Sequence, residues 1–426
     1  TQQRMTKTKM LKAVILIGGP PKGTRFRPLS LDVPKPLFPL AGLPLIQHHI
    51  ESCLKIPDLK EIIILGFFQA AELSSFVASM SQLYKINIRY LQEYAELGTA
   101  GGIYHFRDQI RHGDPEAFFV MNGDICADFP LMEMLQAHRE REEKGLITVM
   151  ATESTRQQSL NYGCIVEDKD THEILHFVEK PSTFVSTLVN CGIYLCSLDI
   201  FKVIAEAYSK NQHRISYYGD VNNEALSLEQ DVLMPLSATK VSFAFPSMNW
   251  WSQMKTAGSA IYANRHYLKL YRTMHPDRLS SSNSGPEILE DVYVHPSATV
   301  HPTAKLGPNV SIGPNVFIGE GVRIKESIIL GDVTIQSHSL ILYSIIGWNS
   351  IIGSWARVEG TPCDPNPNKP FAKMDNVSLF NCDGRLNPSI CILGRKVQVK
   401  GEIIVLNSIV LPHKELDYSY KNEIIL

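Results

Sequence analysis

The 426-residue chain has no surplus of charge: 41 Lys and Arg against 43 Asp and Glu leave −2 at neutral pH. That balance removes the electrostatic case for nucleic acid or an acidic membrane face as partner. Cysteine is sparse, eight residues with no C-x-x-C pair, which fits neither a disulfide scaffold nor a zinc finger. Long apolar runs are missing too. The densest, residues 62–68, falls far short of the roughly 20 residues a membrane helix needs. The opening stretch lacks a secretory pattern. Met10, directly before a strong strand pattern, could be a native start, with residues 1–9 an extension. What remains, 44% hydrophobic and 20% charged, is ordinary globular composition. The length suits two or three domains, and a cytoplasmic location is expected.

Before residue 280, short apolar runs alternate with helix-period stretches. Residues 11–17, 61–65, 86–91, 117–121 and 146–150 read as strands, bounded by Gly, Pro, Asn or Asp. Residues 44–55 carry Ile46, Ile50, Cys53 and Leu54 on one helical face, with Pro44 suited to the first turn. Residues 210–226, polar and rich in Tyr and Asn, read as a surface excursion. A strand at 240–245 and a helix at 256–271 follow. The alternation predicts an α/β domain over residues 10–280, with a largely parallel sheet covered on both faces. Ligands of such sheets sit outside the C-terminal ends of the strands. Residues 281–291, opening Ser281-Ser282-Asn283-Ser284, have the composition of a linker.

From 292 to 426 the period becomes six. Val294, Val300, Leu306, Ile312, Ile318, Ile324 and Leu330 are evenly spaced, and Ala298, Ala304, Val310, Val316, Val322 and Ile328 keep the same step. A 3.6-residue turn would rotate that stripe out of line, so the pattern predicts a parallel β-helix of hexapeptide repeats. Five-residue steps, Leu330 to Ile335 and Ile341 to Ile346, break the phase before Ile352 and Val358 resume it. Residues 361–388, with five prolines and five asparagines in 28 residues, interrupt the solenoid as an inserted loop. Stacked coils offer flat faces, which suits self-association. A hexapeptide acyltransferase would need a catalytic histidine here. His295, His301 and His338 are available but read as solvated turn residues.

The first strand runs into Gly18-Gly19-Pro20-Pro21-Lys22-Gly23-Thr24-Arg25-Phe26-Arg27. Lys22, Arg25, Arg27 and Lys35 place four cations within fourteen residues, and Asp32 is the only acid among them. Glycines at a strand end expose N–H groups to an anion, so the segment suits a polyphosphate as well as a solvated glycine turn. It is neither a P-loop nor the dinucleotide fingerprint. Leu97-Gly98-Thr99-Ala100-Gly101-Gly102 either takes a ligand against bare backbone or caps a helix. Asn122-Gly123-Asp124 follows an apolar strand, where Asp124 could hold Mg²⁺ or simply form a turn.

In order, these motifs resemble the sugar nucleotidyltransferases, whose pattern is G-G-x-G-T-R-L-x-P-L-T, K-P, N-x-D, E-K-P and N-x-G. The matching residues are Gly18-Gly19 through Ser30, Lys35-Pro36, Asn122 and Asp124, Glu179-Lys180-Pro181, and Asn190 and Gly192. With the hexapeptide domain, the chain resembles the GDP-mannose pyrophosphorylase (mannose-1-phosphate guanylyltransferase) family over essentially its whole length. It is closest to the regulatory, alpha-type branch. The resemblance implies a Rossmann-like nucleotidyltransferase domain with a mixed, mostly parallel sheet, then a left-handed β-helix. It also implies the chemistry, attack of mannose-1-phosphate on GTP with Mg²⁺ and basic side chains holding the departing pyrophosphate.

Carried over residue by residue, Gly18 and Gly19 would line the nucleotide, and Arg25 and Lys35 the leaving phosphates. Gln92 or Glu93, with Gly98 and Thr99, would face the base, and Asp124 would be the metal ligand beside Asn122. Tyr162, Gly163, Glu179, Lys180 and Asn190 would surround the sugar and its phosphate. Two departures bear on turnover. Three residues, Pro20, Pro21 and Lys22, stand where the family has one, and the prolines remove two N–H donors from the loop. The family's second metal carboxylate matches Gln253, with Lys255 two residues on. Losing about 3–4 kcal/mol of metal stabilisation would slow the reaction roughly 10²–10³-fold. The resemblance therefore implies a regulatory subunit that binds GDP-mannose and inhibits a catalytic beta-type subunit, with loop 361–388 as the arm that reaches it. A working guanylyltransferase is the competing expectation.

Overall fold

The computed structural model describes residues 10–19, 24–141, 145–218, 225–281, 285–375 and 378–426, with the backbone alone at 213–218. The 1–9 extension, the Pro20-Pro21-Lys22 insertion and residues 282–284 of the linker lie outside them. The chain packs as two units. One comprises the stretch up to Lys22, Ile46–Trp251 and Asn366–Lys373; the other comprises Gly23–Leu45, Ser252–Pro365 and Met374–Leu426.

The first unit is built on a nine-stranded mixed sheet. Its strands are β1 (Leu11–Gly18), β2 (Leu59–Gly66), β3 (Asn87–Gln92), β4 (Ala117–Asn122), β5 (Ile147–Glu153), β6 (Gly163–Glu167), β7 (Ile174–Glu179), β8 (Leu188–Ser197) and β9 (Ser242–Pro246). The order is β7-β6-β8-β4-β1-β2-β3, with β5 paired to β8 and β9 paired to β5. β3, β2, β1 and β4 run parallel, while β8 runs antiparallel to β4 and β5. Helices cover the parallel strands, so their apolar runs are continuous rather than alternating. Val14, Ile63, Phe118 and Val120 are fully buried with Tyr194 and Phe201 in one core. The exception, Lys12, lies in register with Glu61 and is neutralised by it at 2.7 Å; Glu61 also takes Arg89 at 2.6 Å.

Element boundaries differ from the sequence expectation where local patterns mislead. Pro44 ends the two-residue strand Leu43–Pro44, and the helix starts one residue later at Leu45–Cys53. The expected surface excursion is helical over its first half, because the helix Ile200–Tyr218 continues through residues 210–218. Its last residue, Leu226, is buried, not exposed.

The second unit contains three parallel sheets of seven, seven and six strands, in which each strand pairs with the third one along. That is the stacking of a left-handed parallel β-helix. Leu306, Ile324, Ile341, Val358 and Val405 form one inward stack. Ile312, Ile329, Ile346, Leu393 and Val410 form the second, and Ile318, Ile335, Ile352, Val399 and Leu416 the third. All are buried, each contributing about 1.5–3 kcal/mol of apolar burial. The stacks open at Glu287–Ile288, which pairs with Lys305–Leu306.

The structure corrects one phase break. The short step is Ile324 to Ile329, because Ile329 stacks between Ile312 and Ile346; Leu330 is buried beside it but is not the stacking residue. Short steps recur at one corner, Ile324–Ile329, Ile341–Ile346 and Val405–Val410. Each has a left-handed residue, Glu326 (φ 48°), Tyr343 (φ 46°) or Asn407 (φ 46°). A buried serine follows each, and Ser327, Ser344 and Ser408 all donate to the carbonyl two residues back at 2.7 Å. Loop 361–388 leaves at this same corner, and its neck closes with Thr361 N–H donating to Ser389 O at 2.9 Å.

Candidate functional site

Strand register gathers the expected residues of the first unit at one end of the sheet. Gly18 aligns with Gly66, Gly66 with Gln92, and Leu16 with Asn122. Across the antiparallel junction, Met121 aligns with Ile193, which brings Gly192 to Asn122. A Cβ on Gly192 (φ 72°) would stand 2.6 Å from the Asn122 amide nitrogen, so only glycine lets the two strand ends close. Gly18 has φ 64° and open space where a side chain would be, whereas a Cβ on Gly19 would meet Phe67 at 2.7 Å. Gly123 N–H donates to Leu16 O at 2.7 Å, which turns the chain immediately before Asp124.

The expected base side is held by contacts distant in sequence. Glu93 N–H donates to Gly66 O at 2.7 Å. Its carboxylate fills the space a Gly102 side chain would occupy, with Oε1 1.9 Å from the ideal Cβ position. Gly98 (φ 77°) opens the helix Gly98–His105 against the Leu226 backbone. Leu226 N–H donates to Leu97 O at 2.8 Å, and Leu226 O accepts from Ala100 N–H at 2.9 Å.

On the expected sugar side, Gly163 pairs with Glu179, and a Gly163 Cβ would stand 2.7 Å from Glu179 Oε2. Lys180 pairs with Glu179 at 3.4 Å. It has φ 44° and donates its N–H to Tyr162 O at 3.1 Å. The Tyr162 ring meets Trp251 edge-on at 5.5 Å, and the Trp251 indole N–H donates to Cys191 O at 3.0 Å. Asn190 Oδ1 accepts from Gly192 N–H at 2.9 Å.

Two residues that sequence reasoning missed tie these sides together. Glu229 Oε1 accepts from the Tyr194 hydroxyl at 2.9 Å, and Tyr194 accepts from Asn190 Nδ2 at 2.8 Å. Glu229 Oε2 accepts from Thr99 Oγ1 at 3.2 Å and from Ser227 Oγ at 2.9 Å. Burial, and then the nearby Glu229 charge, push the Tyr194 phenol well above its usual range, so Tyr194 stays a protonated donor. A signal for this segment was present. Ser227 caps the turn that follows by accepting from Gln230 N–H, and Ser-x-x-Gln is a helix-start pattern.

Arg25, Lys35 and Gln253 belong to the second unit. Arg25 and Arg27 line a cavity of about 480 Å³ with Thr256, Cys363 and Ile409. Lys35 Nζ lies 6.0 Å from the centre of the Phe26 ring. Among the described residues, no cluster of three or more His, Cys, Asp or Glu side chains could by itself hold a metal ion. Mg²⁺ commonly uses one or two carboxylates plus substrate phosphates. Asp124, the expected ligand, brings a single carboxylate, and Gln253 is a neutral amide. On the β-helix, His295 and His301 bond Ser297 and Thr303 at 2.8 and 2.9 Å, and His338 stacks on Trp355 at 4.4 Å. His295 and His301 thus contact the turns they stand in, and His338 a tryptophan of the next coil.

Comparison with known proteins places this geometry. The nucleotidyl transferase family matches residues 12–266, and the GMPPB C-terminal domain matches residues 288–425. Among solved structures, a putative glucose-1-phosphate thymidylyltransferase from Bacillus anthracis is similar with a TM-score of 0.51. It is 21% identical, over 62% of this chain and 96% of that one. A UDP-glucose pyrophosphorylase gives 0.50 and 21%, over 61% and 99%; at that identity both show the fold alone. Mannose-1-phosphate guanylyltransferase regulatory subunit alpha-B of Danio rerio is 58% identical, over 98% of this chain and 100% of its own length. Regulatory subunit alpha of Drosophila melanogaster is 59% identical and that of Homo sapiens 56%, with the same coverage. With both domains matched and full-length identity this high, the chain belongs to the mannose-1-phosphate guanylyltransferase regulatory subunit alpha family.

Proposed function

We propose that the chain binds GDP-mannose at the sheet end described above and feedback-inhibits a catalytic, beta-type guanylyltransferase subunit, with little turnover of its own. The observation that carries this is Gln253, a neutral amide where a family enzyme is expected to have a metal carboxylate. Asp124 alone would hold Mg²⁺ weakly, while the groups suited to a nucleotide and a sugar, from Gly18 to Asn190, stand together at the ends of their strands. Binding is thereby separated from catalysis. The regulatory names of the relatives support the same division of labour. GDP-mannose would be the regulatory ligand, read in the cytoplasm. The β-helix would carry self-association, and the inserted loop 361–388 would reach the partner. No helix among the described residues is long and apolar enough to cross a membrane.

The test is calorimetric titration of GDP-mannose, GDP-glucose and ADP-glucose into the purified chain, with a Mg²⁺-dependent turnover assay on the same preparation. GDP-mannose should bind best and turnover should be at or near background. Robust GDP-mannose synthesis by the chain alone would instead establish a working enzyme.

A further inference from the structure

One outward face of the β-helix is apolar where solvent-facing positions are ordinarily polar. Ile328, Ile345, Ile392, Ile409 and Ile424 lie in register along one sheet, each directly before a residue of an inward stack or its continuation. Alternation along a strand turns them to the other side of the sheet. Ile328 and Ile345 are buried there, because the helix Ala257–Met274 packs on the strands Val310–Ile312 and Ser344–Ile346. The stripe runs on past that cover. Ile392, Ile409 and Ile424 line the cavity of about 480 Å³, together with Ala257 and Gly258 at the start of the helix.

Met374, Leu379 and Leu386 of the insert line the same cavity. Its volume is that of a ligand pocket, and such pockets combine mostly apolar walls with a few polar groups. The charged residues on it are Arg25, Arg27, Asp364 and Asp375. Asp364 is already paired with Arg265 at 3.0 Å, which leaves two cations against one acid. Exposed arginines need no partner of their own. Their weight comes from sharing one cavity with a stripe of isoleucines, since a molecule with an apolar body and an anionic group would satisfy both.

We propose that this cavity binds an amphiphilic anion, an alkyl chain ending in a phosphate or carboxylate. The chain lies along Ile392, Ile409 and Ile424, and the anion meets Arg25 and Arg27. The inference is independent of the proposed GDP-mannose binding.

The experiment titrates decyl phosphate below its micelle concentration, decanol and inorganic phosphate into the full-length chain and into Ile409→Asn and Arg27→Gln. Decyl phosphate should bind, decanol more weakly, and inorganic phosphate not detectably. Ile409→Asn should weaken decyl phosphate and decanol alike, about tenfold. Arg27→Gln should weaken decyl phosphate several-fold and leave decanol unchanged. Decyl phosphate should also slow alkylation of Cys363, which lines the cavity, and leave that of the exposed Cys382 unchanged. Should Ile409→Asn not fold, Ile424→Asn is measured in its place. No binding of decyl phosphate, parental affinity for it in either variant, or an unprotected Cys363 would overturn the proposal.

Discussion

The Tyr194 hydroxyl donates to Glu229 Oε1 at 2.9 Å while accepting from Asn190 Nδ2 at 2.8 Å. One buried phenol thus positions a residue of the expected sugar side on the same carboxylate that anchors Thr99 on the base side. Tyr194→Phe leaves Asn190 and Glu229 each short of a partner. Stability should fall by about 1–2 kcal/mol, and GDP-mannose affinity should fall with it. Glu229→Ala should cost more, since it releases Thr99 as well. Thermal melts and calorimetry on the two variants check this; parental affinity in both would dissolve the link between the two sides.

Gly102 separates stability from binding. The Glu93 carboxylate occupies the position of its absent side chain, and the clashing atom is the far end of a flexible group. Gly102→Ala should therefore leave the fold intact. It could even gain up to about 1 kcal/mol from helix propensity. Glu93 must swing aside, however, so guanine nucleotides should bind more weakly in a chain that melts no lower. Weaker melting with unchanged nucleotide affinity would place Glu93 outside the site.

A pH dependence follows from His138, which is buried between Thr148 Oγ1 at 2.8 Å and Ser197 Oγ at 3.2 Å. Burial, reinforced by Arg141, lowers its pKa to about 4. Between that value and the ordinary 6.5, the unfolded chain binds a proton that the folded chain does not. Stability should therefore drop as pH falls through this window, by at most about 3 kcal/mol. His138→Gln should flatten that part of a melting-temperature profile taken from pH 7 to pH 4.5. A variant profile that keeps the full slope would assign the effect to other groups.

What could be read from the sequence depended on how locally each feature is encoded. The β-helix is legible because most stacking positions are aliphatic and the spacing is set by coil geometry. Its phase break was misplaced because Ile328, Ile329 and Leu330 are consecutive aliphatics, and only the stack of Ile329 on Ile312 chooses between them. Glycines were legible as parts of motifs, but the reason for Gly192 is the Asn122 side chain 70 residues away. Glu229 and Lys373 carry no local signal of their long-range contacts. Glu229 meets Thr99 from 130 residues away, and Lys373 meets Gln158 from 215, and only the folded chain brings them together.

The insert divides into an anchored part and an outward part, and the two should be separable. Lys373 is clamped to Gln158, whereas Phe380, a few residues on, is 46% exposed with Leu379 beside it at 48%. Its backbone bridge to Leu386 is local. Exposed aromatics on an arm are the kind of group that dominates protein interfaces when buried by a partner. Phe380→Ser should therefore leave melting temperature and GDP-mannose affinity unchanged. Inhibition of the catalytic subunit should weaken roughly tenfold, in line with an anchor worth more than about 1 kcal/mol. Assays of catalytic-subunit turnover against GDP-mannose concentration, run with the parent chain and the variant, check this. If Phe380→Ser inhibits as well as the parent chain, contact with the partner lies elsewhere than on this part of the insert.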